Sequence, residues 1–349
     1  MLTAAIPTAL STSLPSPQPA SDSTSHSVPK YLQEDDLTQE RKDLISSLPT
    51  ESGWVANCLH QYQGFWHTTR QLQGVLTCQK HFHAQDSDTL LVTTPKSGTT
   101  WLKAIAFSLI NRSKHAINDP HHPLYTNNPH DLVPFIELKL YIENQVPDLS
   151  VFASPRLFST HLPLVSLPKS VNDSRCKIVY LCRNPKDTFV SLWHFTNKLR
   201  PKDKGVNSLE KAFDKFCNGV SLYGPFWEHV LGYWKAIVER PKRVFFLKFE
   251  EMKEKPAMHL KRLAEFLECP FSKEEELNGT VGRILEMCSF DSLRNLEVNK
   301  TGKMFSGEEF KAFFRRGEVG DWKNHLTDEM AERLDGIIEC KLHGSGLRL

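Results

Sequence analysis

Lys96 stands in a short polar loop, Pro95-Lys96-Ser97-Gly98-Thr99-Thr100, between an apolar run (Leu90, Leu91, Val92) and an apolar segment that starts at Trp101. Strand, loop and helix in that order gather backbone N–H groups and a helix N-terminus around one point. A lysine there adds a full charge, so the chemistry is that of holding a phosphate-like anion. The loop differs from the Gly-x-x-x-x-Gly-Lys-Ser/Thr pattern of ATP-binding loops, because its lysine precedes its single glycine.

A second cation follows a second apolar run. Residues 177–182 (Lys-Ile-Val-Tyr-Leu-Cys) predict a buried strand, and Arg183 comes directly after it. Asn184 suits an N-cap and Pro185 the first helical position. Ser191 lies one turn beyond Asp187 and shares its helix face. Two readings follow from the spacing. Arg183 and Ser191 hold a second phosphate, or Arg183 pairs with Asp187 and Ser191 faces solvent. A third basic group, Arg315-Arg316-Gly317, gives forked donors on a loop that can wrap a phosphate, or a solvated charge pair. His161 ends a short predicted strand at 156–161. A neutral imidazole there can take a proton from an attacking hydroxyl.

The elements that must position these groups are apolar strands alternating with helices. Residues 243–249 predict a further strand, Leu260, Leu263, Ala264 and Leu267 one face of a helix from Pro256, and Met330 to Ile338 another helix after a Thr327 cap. The pattern predicts an α/β fold, with a central parallel sheet flanked by helices and anion loops at the carboxyl ends of its strands.

Composition narrows the classes. The chain has 349 residues, 40% hydrophobic, with a net charge of +2. That balance speaks against nucleic-acid or membrane-surface partners and makes any anion site a local cluster. The eight cysteines include no CxxC pair, so no zinc site is expected, and the loose histidines at 60, 67, 81 and 83 have no ligand spacing. A reduced, cytoplasmic setting fits, and Lys103 interrupts the best apolar run well short of bilayer length. Residues 1–36 read as a disordered Ser/Thr/Pro-rich tail, and 37–349 as the folded domain. A plastid transit segment is the alternative for the tail, although it contains no arginine.

Taken together and in this order, Pro95–Lys103, Thr160-His161, Arg183–Thr188 with Ser191, and Arg315–Gly317 with Gly320-Asp321-Trp322 resemble the cytosolic sulfotransferases, particularly the plant members, from about Leu44 to Leu347. The resemblance implies 3′-phosphoadenosine 5′-phosphosulfate (PAPS) as sulfuryl donor, no metal, and catalytic roles for His161 and Lys96. It implies that Ser97, Gly98, Thr99 and Thr100 cradle the 5′-phosphate. Trp101, Tyr223, Ser289 and Phe290 would contact adenine, and Arg183, Ser191, Arg315, Arg316 and Gly317 the 3′-phosphate. Arg316 stands where the family has a lysine, and Ser159 where many animal members have one. The family's dimer motif is met at Lys323, Thr327 and Glu332 but broken by Asp328, which implies a monomer.

For the acceptor, the resemblance points to a small hydroxylated plant metabolite, a hydroxyjasmonate or a flavonol, in a pocket lined by Phe65, Trp66, Phe135 and Tyr141, with Phe152 nearby. Two other classes stay open at this point. One is a Mg-dependent nucleotide kinase with a variant loop. The other is an inactive paralogue that only binds nucleotide.

Overall fold

The structure is a computed structural model that describes residues 30, 33, 37–143 and 146–349. Apart from Lys30 and Gln33, the expected tail lies outside the described residues. Among the described residues, seven strands form two sheets. β1 (Thr50–Ser52), β2 (Cys58–Tyr62) and β3 (Phe65–His67) make a small antiparallel sheet. β4 (Thr89–Thr93), β5 (Leu157–Thr160), β6 (Lys177–Cys182) and β7 (Val244–Lys248) make a parallel sheet in the order β5-β4-β6-β7. Of the helices, α1 (Gln39–Ser47), α2 (Thr69–His81), α3 (Thr99–Asn111), α4 (Pro129–Leu132), α5 (Lys169–Asp173) and α6 (Pro185–Leu199) come before β7.

The parallel sheet is buried on both faces, and its side chains show why. Along β6, Ile178, Tyr180 and Cys182 point into one core cluster, whereas Val179 and Leu181 point into the other. A strand turns successive side chains to opposite faces, so a continuous apolar run fits only a sheet covered on both sides. Burying each such residue contributes roughly 1.5–3 kcal/mol.

The strand order creates the crevice. From β4 the chain goes to β5 on one side, then crosses to β6 on the other. Connections that leave a strand in opposite directions open a cleft at its carboxyl end. The residues after β4, β5, β6 and β7 therefore converge there. They are the Thr94–Gly98 loop, His161, Arg183 and Phe249. The helix expected from Trp101 starts two residues earlier at Thr99, and the helices expected from Pro185, from Pro256 and after Thr327 lie at Pro185–Leu199, Pro256–Phe266 and Asp328–Leu342.

Candidate active site

One cavity of about 400 Å³ runs along these strand ends. Lys96, Gly98, Thr99, Thr100 and Trp101 line it from the β4 loop, His161 from β5, Arg183 and Ser191 from β6 and α6, and Ser289, Phe290, Arg315, Arg316 and Gly317 from the C-terminal third.

The loop is held open by backbone conformations that side chains rarely take. Lys96 has φ 71° and Gly98 φ 103°. A left-handed non-glycine residue costs of order 1–3 kcal/mol, and such strain collects at ligand-binding turns. Gly98 is required twice over, since a Cβ there would lie 2.8 Å from the Phe249 ring. Ser97 is the exception to the cradle. It is fully buried, and its hydroxyl bonds Thr94 at 2.6 Å rather than facing the cavity. The Thr100 hydroxyl is engaged by His130 Nε2 at 3.0 Å. The Lys96 ammonium lies over the Phe195 ring, 4.1 Å from its centroid. Burial, and then the charges of Arg315, Arg183 and Lys198, lower its pKa to about 7. No carboxylate among the described residues forms an ion pair with this lysine.

The second anion site is built from two distant segments. Asp187 on α6 is buried and accepts backbone N–H groups from Gly320 at 2.7 Å and Trp322 at 3.0 Å. It thereby pins the C-terminal loop to α6. Arg183 donates to the Glu318 carbonyl at 2.6 Å and stands 3.7 Å from Asp187. The ion pair weighed from the spacing exists, but Asp187 spends its short contacts on the loop. Ser191 is buried and faces the cavity, not solvent. Arg315 Nε and Arg183 Nε are both buried and find no hydrogen-bond partner among the described residues. Buried donors without acceptors are expensive, so they mark where an anionic ligand completes the network. Arg315 also pairs with Asp321 at 2.5 Å, and Arg316 with the same carboxylate at 3.3 Å. Gly317 has φ 67°, and a Cβ there would meet Phe290 at 2.5 Å.

His161 is fixed from both sides. Its Nδ1 lies 2.7 Å from the Thr93 carbonyl oxygen and 3.2 Å from the Thr93 hydroxyl. Its backbone N–H donates to Glu137 at 2.8 Å, and the Thr160 hydroxyl donates to the other Glu137 oxygen at 2.8 Å. Phe135 packs on the imidazole at 4.7 Å. Burial, opposed by the Thr93 hydrogen bond and aided by nearby cations and His229, pushes its pKa down to about 3. The ring is therefore neutral near pH 7.

Several expected residues fall elsewhere. Tyr223, expected at adenine, does line the cavity, with its ring 5.5 Å from His161 and 5.0 Å from His67. The cause is a turn with φ 58° at Tyr223, tied to β3 by hydrogen bonds of 2.8 and 3.0 Å to Trp66. The ring that packs on Trp101 is Phe249, at 5.4 Å. Phe65, Trp66 and Tyr141 were expected in the acceptor pocket but do not line the cavity. They are buried: Phe65 packs on His229, Trp66 lies in the core of the small sheet, and Tyr141 packs on Phe82. Phe152 is half-buried against Phe158. Of the five aromatic residues expected at the acceptor, Phe65, Trp66, Phe135, Tyr141 and Phe152, only Phe135 lines the cavity. Sequence reasoning missed Phe249, Glu137 and the loop-pinning role of Asp187. Phe249 alone had a signal, since it follows a parallel strand directly.

A parallel sheet whose strand ends bring two cationic loops and a neutral imidazole into one cavity defines a transferase of phosphate-bearing donors. Residues 86–346 match the sulfotransferase domain family. Among similar chains, cytosolic sulfotransferase 12 of Arabidopsis thaliana is 53% identical over 327 residues, covering 93% of this chain and 99% of that protein. Cytosolic sulfotransferase 5 of the same plant is 52% identical over 318 residues, covering 91% and 98%. A crystal structure of an Arabidopsis thaliana sulphotransferase superposes with a TM-score of 0.73 at 47% identity, covering 93% of this chain and all of that one. Mouse sulfotransferase SULT7A1, solved with PAP, gives 0.63 at 28% identity, covering 82% and 95%. The chain belongs to the sulfotransferase family, and its enzymatic class is that of the PAPS-dependent sulfotransferases.

Proposed function

We propose that this enzyme sulfates a hydroxyl of a small plant metabolite, with His161 as general base and Lys96 opposite the leaving oxygen. One observation carries the reading: Lys96, Arg183, Arg315 and His161 line the same cavity. PAPS supplies an activated sulfuryl group on a nucleotide with phosphates at both ends. The residues fit it, because the two buried orphan Nε atoms and the lysine of lowered pKa all want an anion.

The backbone around Lys96–Thr100 receives the 5′ end, and Arg183, Ser191, Arg315, Arg316 and Gly317 receive the 3′-phosphate. Trp101, Phe249 and Phe290 face the adenine. Because Nδ1 donates its proton to the Thr93 carbonyl, Nε2 of His161 keeps the lone pair. His161 takes the hydroxyl proton at Nε2 as the acceptor oxygen bonds to sulfur. Lys96 stabilises the charge left on the departing oxygen as the old S–O bond breaks. The products are a sulfate ester and adenosine 3′,5′-bisphosphate.

Hydroxyjasmonate and flavonol remain the favoured acceptors, on the resemblance in the sequence. We place the enzyme in the cytoplasm, as the names of its plant relatives support. We also take 37–349 as one domain, and the protein as a monomer because Asp328 puts a charge into the dimer motif. Incubation with PAPS and a panel of hydroxylated plant metabolites, with and without EDTA, tests the reaction. Chelator-resistant sulfate esters are expected; turnover that requires Mg²⁺ and ATP would reject it.

A further inference from the structure

We infer that the acceptor is an acid: a hydroxylated molecule whose carboxylate is held by Arg70 while its hydroxyl meets His161. This rests on the sulfotransferase reading and names the acceptor class of the same cavity.

The position of Arg70 follows from α2. Arg70 and Gly74 lie one turn apart on one face of that helix. Gly74 packs so tightly that a Cβ there would sit 1.9 Å from the Glu137 carbonyl oxygen and 3.5 Å from Ile142. Glu137 is the residue that holds the His161 backbone and Thr160. Arg70 therefore sits one helical turn from the segment that fixes the catalytic imidazole. Thr68, Arg70 and Gln71 all line the cavity, so the first turn of α2 faces it.

The cavity that Arg70 lines carries apolar side chains. Leu138, Ile142, Leu222 and Met304 line the same cavity. The Arg70 side chain is only 13% exposed, and its one ion pair among the described residues, to Glu143, is 3.6 Å long, beyond hydrogen-bond length. Glu143 is itself 42% exposed and shared with Lys30 at 3.2 Å. A solvated, shared carboxylate at that distance neutralises little. Glu308 also lines the cavity; the Ser306 hydroxyl donates to its carboxyl, and burial raises its pKa while the Arg70 charge opposes that rise, so it stands near Arg70 without a hydrogen bond to it. A mostly buried guanidinium has five N–H donors in a fork that matches a carboxylate. None of them makes a hydrogen bond to a described residue at this site. Of the two favoured acceptors, a hydroxylated carboxylic acid carries the matching anion and a neutral flavonol does not.

The test uses the full-length protein loaded with adenosine 3′,5′-bisphosphate. Two probe pairs are titrated by calorimetry, ω-hydroxylaurate and para-hydroxyphenylpropionate, each against its methyl ester, and the same pairs are assayed with PAPS. The expected result is that at least one acid binds and reacts about tenfold or more better than its ester, the size of a charge-assisted hydrogen bond. Arg70→Gln should collapse that ratio toward one, and Arg70→Lys should restore only part of it. Nucleotide affinity measured in parallel shows that both variants are folded. Equal use of acids and esters by the wild type, a preference that survives Arg70→Gln, or binding of neither member of either pair overturns the inference. Failure of the wild type to bind the bisphosphate at all would instead sink the sulfotransferase reading beneath it.

Discussion

The Nδ1 of His161 points at the carbonyl oxygen of Thr93, 2.7 Å away. Thr93 is the last residue of β4, and the next residues form the anion loop. One strand end therefore both opens the phosphate cradle and sets which imidazole nitrogen is free. A carbonyl can only accept, so Nδ1 carries the proton and Nε2 keeps the lone pair that the proposed base role needs.

Replacing that base isolates its role. His161→Ala should lower kcat by roughly 10²–10⁴, the usual contribution of a general base. The dissociation constant for adenosine 3′,5′-bisphosphate should stay within about threefold of wild type, because His161 is not part of either phosphate site. Equal loss of turnover and nucleotide affinity in stopped-flow and calorimetric assays would contradict a base role.

Lys96 predicts a proton that arrives with the nucleotide. In the free enzyme its pKa is lowered to about 7, so above that pH it is largely neutral. A bound phosphate anion favours the charged form and raises that pKa. Binding should thus take up close to one proton between pH 7.5 and 9 and almost none near pH 6. Nucleotide affinity should fall as pH rises through that window, by up to about tenfold per unit. Calorimetry in buffers of different ionisation enthalpy reads the uptake, and Lys96→Met should abolish it. Proton release by the wild type would be the wrong sign.

Asp187 holds the 3′-phosphate loop without lining the cavity. Asp187→Ala removes two charge-assisted hydrogen bonds to Gly320 and Trp322, each worth about 1.5–3 kcal/mol. The Kd for the bisphosphate should rise at least about tenfold, while kcat at saturating PAPS changes much less. An unaltered Kd in a variant of native-like Tm would remove Asp187 from this account.

Gly317 is the tightest point beside Phe290. Gly317→Ala places a Cβ 2.5 Å from that ring at φ 67°. The strain is of order 1–3 kcal/mol, and the ring must shift along the cavity wall. The KM for PAPS should rise more than the KM for the acceptor. The reverse order in steady-state kinetics would place Phe290 at the acceptor end.

The strands and both strand-to-helix loops were legible because they depend on local signals. Continuous apolar runs, the Asn184 cap, Pro185 and the lysine before Gly98 all act within a few residues. The aromatic residues were not legible in that way. Phe65, Trp66 and Tyr141 have the composition of pocket walls, but the small sheet and its pairing with the Tyr223–Gly224 turn bury the first two, and Tyr141 packs on Phe82. The position of the Tyr223 ring beside His161 was not legible for the same reason, since a turn pinned to β3 decides where it lies. Glu137 gave no signal at all, because a lone acid in an apolar stretch shows nothing of a backbone N–H it meets only after folding.

The central claim is that one cleft grips both phosphates of an adenine bisphosphate beside His161. A crystal of the enzyme grown with adenosine 3′,5′-bisphosphate tests it most directly. The 5′-phosphate should lie on the Lys96–Thr100 backbone and the 3′-phosphate against Arg183 and Arg315, with adenine between Trp101 and Phe249 and Nε2 of His161 open to the acceptor side. A nucleotide bound in the reverse direction, or away from Lys96 and Arg183, would contradict it.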